Sequence, residues 1–143
     1  MTIRDAHAHL QTGGAVPHPA LSGLGALVGT WDVAAEGLSG RITFEWMDGG
    51  HFLMCFSDLH RGADHVTGLE VIGFDTEAGQ IRSHYYETTG AQAAYVWRIE
   101  SDGIHIAGPA GEYSGSFDPM LVELTGVWRG SEGDVESTLT RIE

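Results

Sequence analysis

Apolar and polar residues alternate with a period of two along most of the chain after residue 30. The clearest case is Ile42-Thr43-Phe44-Glu45-Trp46, in which Ile42, Phe44 and Trp46 fall on one face of an extended segment. Successive side chains of a β-strand point to opposite faces, so this pattern is typical of strands. The pattern predicts about ten strands, at residues 31–34, 42–46, 51–59, 65–74, 80–88, 91–100, 104–107, 112–117, 121–129 and 135–142.

Glycine-rich breaks separate these segments at short intervals. Asp48-Gly49-Gly50 and Ser101-Asp102-Gly103 are typical of tight turns, and the chain has 21 glycines against four prolines. Strands joined by short connections are antiparallel neighbours. The sequence therefore predicts an all-β fold, either a closed up-and-down barrel or two stacked sheets. We favour the barrel because closure leaves no exposed edge, and a barrel of about ten strands is wide enough to enclose a cavity.

The beginning of the chain has a different pattern. Residues 1–17 end in Thr12-Gly13-Gly14 and the first of two closely spaced prolines, and we interpret them as a flexible arm that precedes a single domain at 18–143. Between residues 20 and 28, apolar residues recur at helical spacing. This spacing predicts a short helix of two turns that lies across one end of the barrel. The apolar positions are Leu21, Leu24, Leu27 and Val28.

Charge and cysteine content narrow the range of functions. The 143 residues carry a formal charge of −13, and all seven basic residues are arginine. A negative balance argues against nucleic acid and against an anionic membrane surface as partners. The first twenty residues lack the apolar run of a signal peptide, and a lone Cys55 cannot form an internal disulfide. We therefore expect a cytoplasmic protein, either a monomer or a homodimer.

Several segments resemble known barrel families. The stretch 18–31, which ends in Val28-Gly29-Thr30-Trp31, resembles the start of nitrobindin-like domains and the Gly-x-Trp opening of lipocalins. Residues 44–53, 72–75 and 124–129 are similar to an uncharacterised lipocalin-like family. The resemblance implies a lipocalin-like (calycin) β-barrel from residue 18 to the end of the chain.

The resemblance also implies roles for particular residues. In these families the tryptophan of the opening packs at the base of the barrel, which gives Trp31 a structural role, and Arg129 is a candidate partner for its indole. Nitrobindin-like domains hold a haem iron with a histidine late in the chain. Here no histidine follows His105, so haem is disfavoured and we expect no cofactor.

The segment 80–88 carries the most suggestive polar residues. Arg82, His84 and Tyr86 share one face, and the other face is also polar, as expected for a strand that lines a mixed chamber. Together with Glu70, the pair His84 and Tyr86 has the composition of an acid–base site. The alternative is that these side chains satisfy one another or point outward, because a slip of one residue exchanges the two faces.

Aromatic and sulfur-containing residues supply candidates for an apolar pocket. Ordinary core packing explains them equally well, and Cys55 in its apolar stretch is interpreted as a packing residue. The expected ligand contacts are Trp46, Met54, Phe56, Tyr95 and Trp97, with Arg82 as a polar anchor.

Metal binding is not expected, because the chain has no HExxH and no Cys/His pair at zinc spacing. His7 and His9 fall in the arm, and His60 and His65 flank a predicted loop.

Three functions remain open at this point. The first is binding of a small, partly hydrophobic molecule in the barrel. The second is an isomerase, cyclase or lyase that positions a substrate there, with His84, Tyr86 and Glu70 as acid–base groups. The third and least favoured is haem or metal binding.

Overall fold

A computed structural model describes residues 16–143, which form a short 3₁₀ helix followed by ten β-strands. The helix, η1, spans Pro19–Leu27. The strands are β1 Gly29–Ala35, β2 Leu38–Trp46, β3 Phe52–Arg61, β4 Asp64–Asp75, β5 Gln80–Glu87, β6 Gln92–Ile99, β7 Gly103–Gly108, β8 Gly111–Phe117, β9 Glu123–Gly130 and β10 Gly133–Arg141.

The strands close into one antiparallel barrel. Each strand pairs with its neighbours along the chain, and β1 closes the barrel by pairing with β10 in the register Trp31 to Arg141 and Val33 to Leu139. The predicted all-β, ten-stranded up-and-down barrel with a short N-terminal helix is confirmed. The flexible arm predicted at residues 1–17 falls almost wholly outside the described residues.

Helix η1 covers one end of the barrel. His18 caps it, because its Nδ1 accepts a hydrogen bond from the backbone N–H of Ala20 (3.1 Å). Pro19 has no backbone N–H and therefore needs no hydrogen-bond acceptor in the first turn. Leu21, Leu24 and Leu27 recur every three residues, and in a helix with three residues per turn they fall on one side. All three are buried against the ends of the strands, which explains why the short segment is 3₁₀.

Trp31 lies directly beneath η1 and is fully buried. Its indole N–H donates to the carbonyl of Leu27 (2.8 Å), and the Arg141 guanidinium lies 4.2 Å from the ring centre. Arg141 also donates to the carbonyls of Ala26 (2.6 Å) and Val28. The predicted contact with Arg129 is not formed.

Arg129 is exposed on the outer face of β9. The side chains of that strand that point into the barrel are at even-numbered positions, such as Leu124 and Trp128, so Arg129 points outward. The partner of the indole is therefore a helix carbonyl, and the cation over the ring comes from the last strand.

The two ends of the barrel differ in their connections. The η1 end carries the longer loops, whereas four of the five turns at the opposite end, here called the distal end, have only two residues. Gly37 (φ 73°) and Gly62 (φ 62°) take left-handed conformations in the first two of these turns, as tight hairpins require. The distal turns are residues 36–37, 62–63, 88–91, 109–110 and 131–132.

Within residues 16–143, no helix has both the length and the apolar character needed to cross a bilayer.

Candidate functional site

A cavity of about 300 Å³, partly open to solvent, lies inside the barrel between the buried layer beneath η1 and the distal turns. Its wall is mainly aliphatic and aromatic, with Leu27 at the η1 side and Trp128 on β9. Polar groups enter it at a few positions only. They are Ser57, Glu70, Tyr85, Tyr95 and Tyr113.

Strand register explains why these side chains point inward. Residues paired across antiparallel strands share a face of the sheet. Cys55, Glu70 and Tyr85 are paired in succession across β3, β4 and β5, and Cys55 is buried. The buried Ile72 is in the same way paired with Ser83 on β5. Glu70 and Ser83 therefore belong to the inner wall.

Glu70 is held by a short chain of hydrogen bonds inside the wall. Ser83 Oγ donates to Glu70 Oε2 (2.5 Å), and the Trp97 indole N–H donates to Ser83 Oγ (2.9 Å). Ser83 is 1% exposed. Burial raises the pKa of Glu70, and hydrogen bonding by Ser83 and Trp97 opposes that shift. Within the part of the chain that the structure describes, Glu70 Oε1 accepts no hydrogen bond, so this oxygen is available to a ligand.

Each inward tyrosine ring lies against a glycine. A methyl group added to Gly68 would meet the Tyr85 ring at 2.5 Å, and one added to Gly126 would meet the Tyr113 hydroxyl at 2.4 Å. Tyr95 lies over Gly108 in the same manner. Because glycine has no side chain, the rings can lie flat against the wall instead of filling the centre, and the cavity stays open.

Two hydroxyl groups of the inner wall are buried without a hydrogen-bond partner among residues 16–143. They are Ser57 Oγ and the Tyr113 hydroxyl. Burial also raises the pKa of Tyr113, and the nearby Ser137 side chain opposes that shift although its geometry is not that of a hydrogen bond. A buried hydroxyl without a partner is uncommon and destabilising, so each needs a reason. Both residues line the cavity, where a bound molecule can supply the missing partner.

A cluster of charged and polar groups borders the distal end. Arg61, at the end of β3, donates two hydrogen bonds to the Glu87 carboxylate (3.0 and 3.3 Å). Tyr85 (2.7 Å) and Thr89 (2.8 Å) donate two more. These donors, led by Arg61, lower the pKa of Glu87 to about 2, so Glu87 is ionised at neutral pH. The cluster fixes the Tyr85 ring at the wall.

The structure does not bring the predicted catalytic residues together. Glu70 lines the cavity, whereas His84 and Tyr86 lie on the outer face of β5, and the side chain of Tyr86 is 50% exposed. Arg82 shares that outer face and forms an ion pair with Asp75 (3.7 Å). The barrel wall separates Glu70 from the other two, so the three cannot act on one substrate.

Ile81 explains which face of β5 turns inward. It is the only aliphatic residue of that strand, it is 6% exposed, and it draws the odd-numbered positions into the barrel with it. Sequence reasoning assigned the ligand chamber to the even-numbered positions and so missed Ser83, Tyr85 and Glu87. The aliphatic side chain of Ile81 was the signal that identified the inner face.

The predicted ligand contacts divide between the two faces. Tyr95 and Trp97 line the cavity, and Trp46 points inward but packs beside η1. Met54 and Phe56 lie on the outer face, and Phe56 is 42% exposed. Residues 52–56 are all apolar, so their sequence does not show which face of β3 points into the barrel. The pairing of Leu53 with the inward Trp46 places Leu53 inside and Met54 outside.

The outer positions of β3 to β6 form a shallow groove. Phe52, Val71, Arg82, His84 and Tyr86 line it, and Phe52 is 43% exposed. Glu70 is on the other side of the wall, so the groove lacks the carboxylate of the predicted acid–base set.

The histidines of the described residues lie outside the cavity. His60 and His65 stack on the outer surface (ring centres 4.9 Å apart), and His65 Nε2 is 2.5 Å from Asp58 Oδ1. No group of three His, Cys, Asp or Glu side chains in residues 16–143 is arranged to hold a metal ion. His7 and His9 lie outside that range. Because none of the histidines in residues 16–143 reaches the cavity, the residues that line it do not fit a histidine-ligated haem.

No protein-family model matches the chain. The curated proteins also yield no match. The function must therefore be argued from the cavity and its polar groups.

Proposed function

We propose that this protein binds a small, largely apolar molecule inside the barrel, with a polar group of that molecule at Glu70. The single observation that carries the proposal is the combination of an apolar cavity of about 300 Å³ with a buried carboxyl group that has a free oxygen. The hydroxyls of Ser57 and Tyr113, buried without partners in the described chain, support it.

The dimensions of the cavity support a ligand of modest size. Its volume lies at the lower end of the range of roughly 300–1,000 Å³ for small-molecule sites. It is the volume that about ten water molecules occupy in the liquid. Covering about 300 Å² of apolar ligand surface at roughly 25 cal/mol/Å² gives on the order of 7 kcal/mol. Association itself costs at least about 4 kcal/mol, so useful affinity needs the polar contacts.

Binding is better supported than acid–base catalysis. Proton transfer between two sites needs a pair of groups within reach of one substrate. His84 and Tyr86 lie outside the barrel. The ionisable neighbours of Glu70 on the inner wall include Cys55 and Tyr85, and burial raises the pKa of both, which keeps them protonated at neutral pH.

A neutral fluorescent dye tests the proposal directly. N-phenyl-1-naphthylamine is expected to brighten saturably when added to the protein, because the cavity shields it from water. Ile106→Phe projects a larger side chain into the cavity and should weaken that signal. The matched control is Ala107→Phe, which adds the same ring at the next position of β7, where the side chain is exposed.

Two results would contradict the proposal. One is a dye signal that does not saturate with the unmodified protein. The other is equal dye binding by the Ile106 and Ala107 variants, since the dye would then sit on the outer surface. Native mass spectrometry of the freshly purified protein adds a dye-independent check, because a retained molecule would appear as a discrete mass increment that the Ile106 variant lacks.

A further inference from the structure

We propose that the cavity selects a ligand carrying an ammonium group, an alkyl or arylalkyl amine, which pairs with the Glu70 carboxylate against the aromatic rings of the wall. This inference rests on the proposed function and specifies its ligand class. Three observations support it: the single acidic group that residues 16–143 place in the cavity wall, the aromatic rings of that wall and the acidic residues of the distal turns.

The charges that line the cavity are unbalanced. Among residues 16–143, Glu70 is the only acidic or basic side chain that lines its wall. The arginines at the two ends of the barrel are engaged elsewhere, because Arg61 is bonded to Glu87 at the distal end and Arg141 lies over Trp31 beneath η1. A ligand carboxylate would place a second negative charge beside Glu70 with no cation between them. An ammonium group would supply the missing partner.

The geometry at Glu70 suits a single donor group. Ser83 occupies Oε2 and is fixed in turn by the Trp97 indole, which leaves Oε1 without a hydrogen bond from residues 16–143 and able to accept one from a ligand. Tyr95 lies in the same part of the wall, where burial raises its pKa and the Glu70 charge adds to that shift. The rings of Tyr95 and Trp128 meet edge to face with centres 6.4 Å apart.

The aromatic wall favours a cation more than it favours a neutral group. The faces of tryptophan and tyrosine rings attract ammonium groups within about 6 Å, and the attraction strengthens where water is excluded. A neutral alcohol gains the hydrogen bond to Glu70 but neither the charge pairing nor the attraction to the rings.

The surface charge at the distal end also favours a cationic ligand. The five distal turns, each taken with one flanking residue on either side, contain a single arginine, Arg61. Their acidic residues are Glu36, Asp64, Glu87 and Glu132. With a formal charge of −13 on the whole chain, the field draws cations toward this end and repels anions. Since η1 covers the other end, the distal end is the side from which a ligand enters.

Three ligands with one carbon skeleton test the inference. The affinities of 4-phenylbutylamine, 4-phenylbutan-1-ol and 4-phenylbutanoate are measured at neutral pH by isothermal titration calorimetry and by displacement of the neutral dye. We expect the amine to bind at least about tenfold more tightly than the alcohol, which is a difference of about 1.4 kcal/mol, and the carboxylate to bind most weakly.

Variants at Glu70 identify the residue responsible. Glu70→Gln should weaken the amine about tenfold and change the alcohol by less than about twofold, since only the charge is removed. Glu70→Asp keeps the charge and should preserve the preference for the amine. Glu45→Gln, on the exposed outer face of β2, is the matched control and should change neither affinity.

The outcomes separate this inference from the proposed function. If the alcohol or the carboxylate binds as tightly as the amine, the inference is wrong and the binding function stands. The same holds if the dye binds and none of the three ligands does. If neither the dye nor the amine binds, both are wrong. The comparison of the three ligands on the unmodified protein needs no variant, so a Glu70 variant that fails to fold does not obscure it.

Discussion

The Tyr113 hydroxyl offers the sharpest test of the cavity, because removing it should stabilise the protein. Tyr113 points inward from β8, and its hydroxyl is buried without a hydrogen-bond partner among residues 16–143. In the unfolded chain the same hydroxyl is hydrated. Folding without a ligand therefore removes it from bulk water and gives it no hydrogen-bond partner among residues 16–143, and Tyr113→Phe eliminates that cost while keeping the ring.

The expected size follows from the desolvation of one hydroxyl. A buried polar group left without a partner costs about 1–3 kcal/mol. Some of that cost is relieved when water enters the cavity, so we expect Tyr113→Phe to raise the free energy of unfolding by about 1 kcal/mol. For a chain of this length that corresponds to an increase in Tm of about 3 °C.

Tyr85→Phe is the matched control, since it makes the same chemical change on the same wall. The Tyr85 hydroxyl donates to the ionised Glu87 carboxylate at 2.7 Å. A hydrogen bond to a charged group contributes about 1.5–3 kcal/mol, so this variant should lower the free energy of unfolding by about that amount. The two Tyr→Phe substitutions are thus expected to have opposite signs.

Urea unfolding followed by circular dichroism, together with calorimetric Tm values, measures both variants without added ligand. A loss of stability in Tyr113→Phe comparable to that in Tyr85→Phe would refute the reasoning, because it would mean that the Tyr113 hydroxyl has a partner. If the ligand uses this hydroxyl, Tyr113→Phe should also weaken binding, so that stability and affinity change in opposite directions.

Three further predictions concern the wall, the distal cluster and the barrel base. Gly68→Ala places a methyl group 2.5 Å from a tyrosine ring and should cost about 1–3 kcal/mol in urea unfolding, whereas Gly25→Ala, with open space around it, should be tolerated. The pKa of Glu87 in the folded protein is about 2, below its usual 4.5. Its contribution to stability is therefore present above pH 4.5 and is lost as the pH falls toward 2. When Tm is measured over this pH range, Glu87→Gln should lose less stability than the unmodified protein. Arg141→Lys loses the planar fork that reaches the carbonyls beside η1 and should lower the free energy of unfolding by about 2 kcal/mol. Arg129→Lys should change it by no more than about 0.5 kcal/mol. Equal effects would contradict the assignment of Arg141 as the cation over the Trp31 ring.

The strands could be predicted closely because their signals are local. The predicted segment 80–88 differs from β5 by one residue, and the predicted segment 112–117 differs from β8 by one. Alternation and turn residues act over two to five positions, and the short connections leave antiparallel neighbours as the only pairing. The spacing of the leucines likewise located the helix that covers the barrel, although its 3₁₀ form came from packing.

The inner and outer faces were harder to assign where a strand has no clear alternation. Positions 52–56 are all apolar, and β5 is polar on both faces apart from Ile81. In such strands the pairing with the neighbouring strand decides the face, and a shift of one residue exchanges every side chain. His84 and Tyr86 were placed inside on composition, and the register puts them outside.

The sequence by itself determined about ten antiparallel strands with a helix near their start and favoured their closure into a barrel, because patterning and turns specify the strands residue by residue. The tertiary structure alone decided which polar groups meet inside. Glu70, Ser83 and Trp97 come from three strands, and the Tyr113 hydroxyl lies beside glycines of β8 and β9. Contacts of this kind depend on the register between neighbouring strands, and no local pattern within one strand records that register.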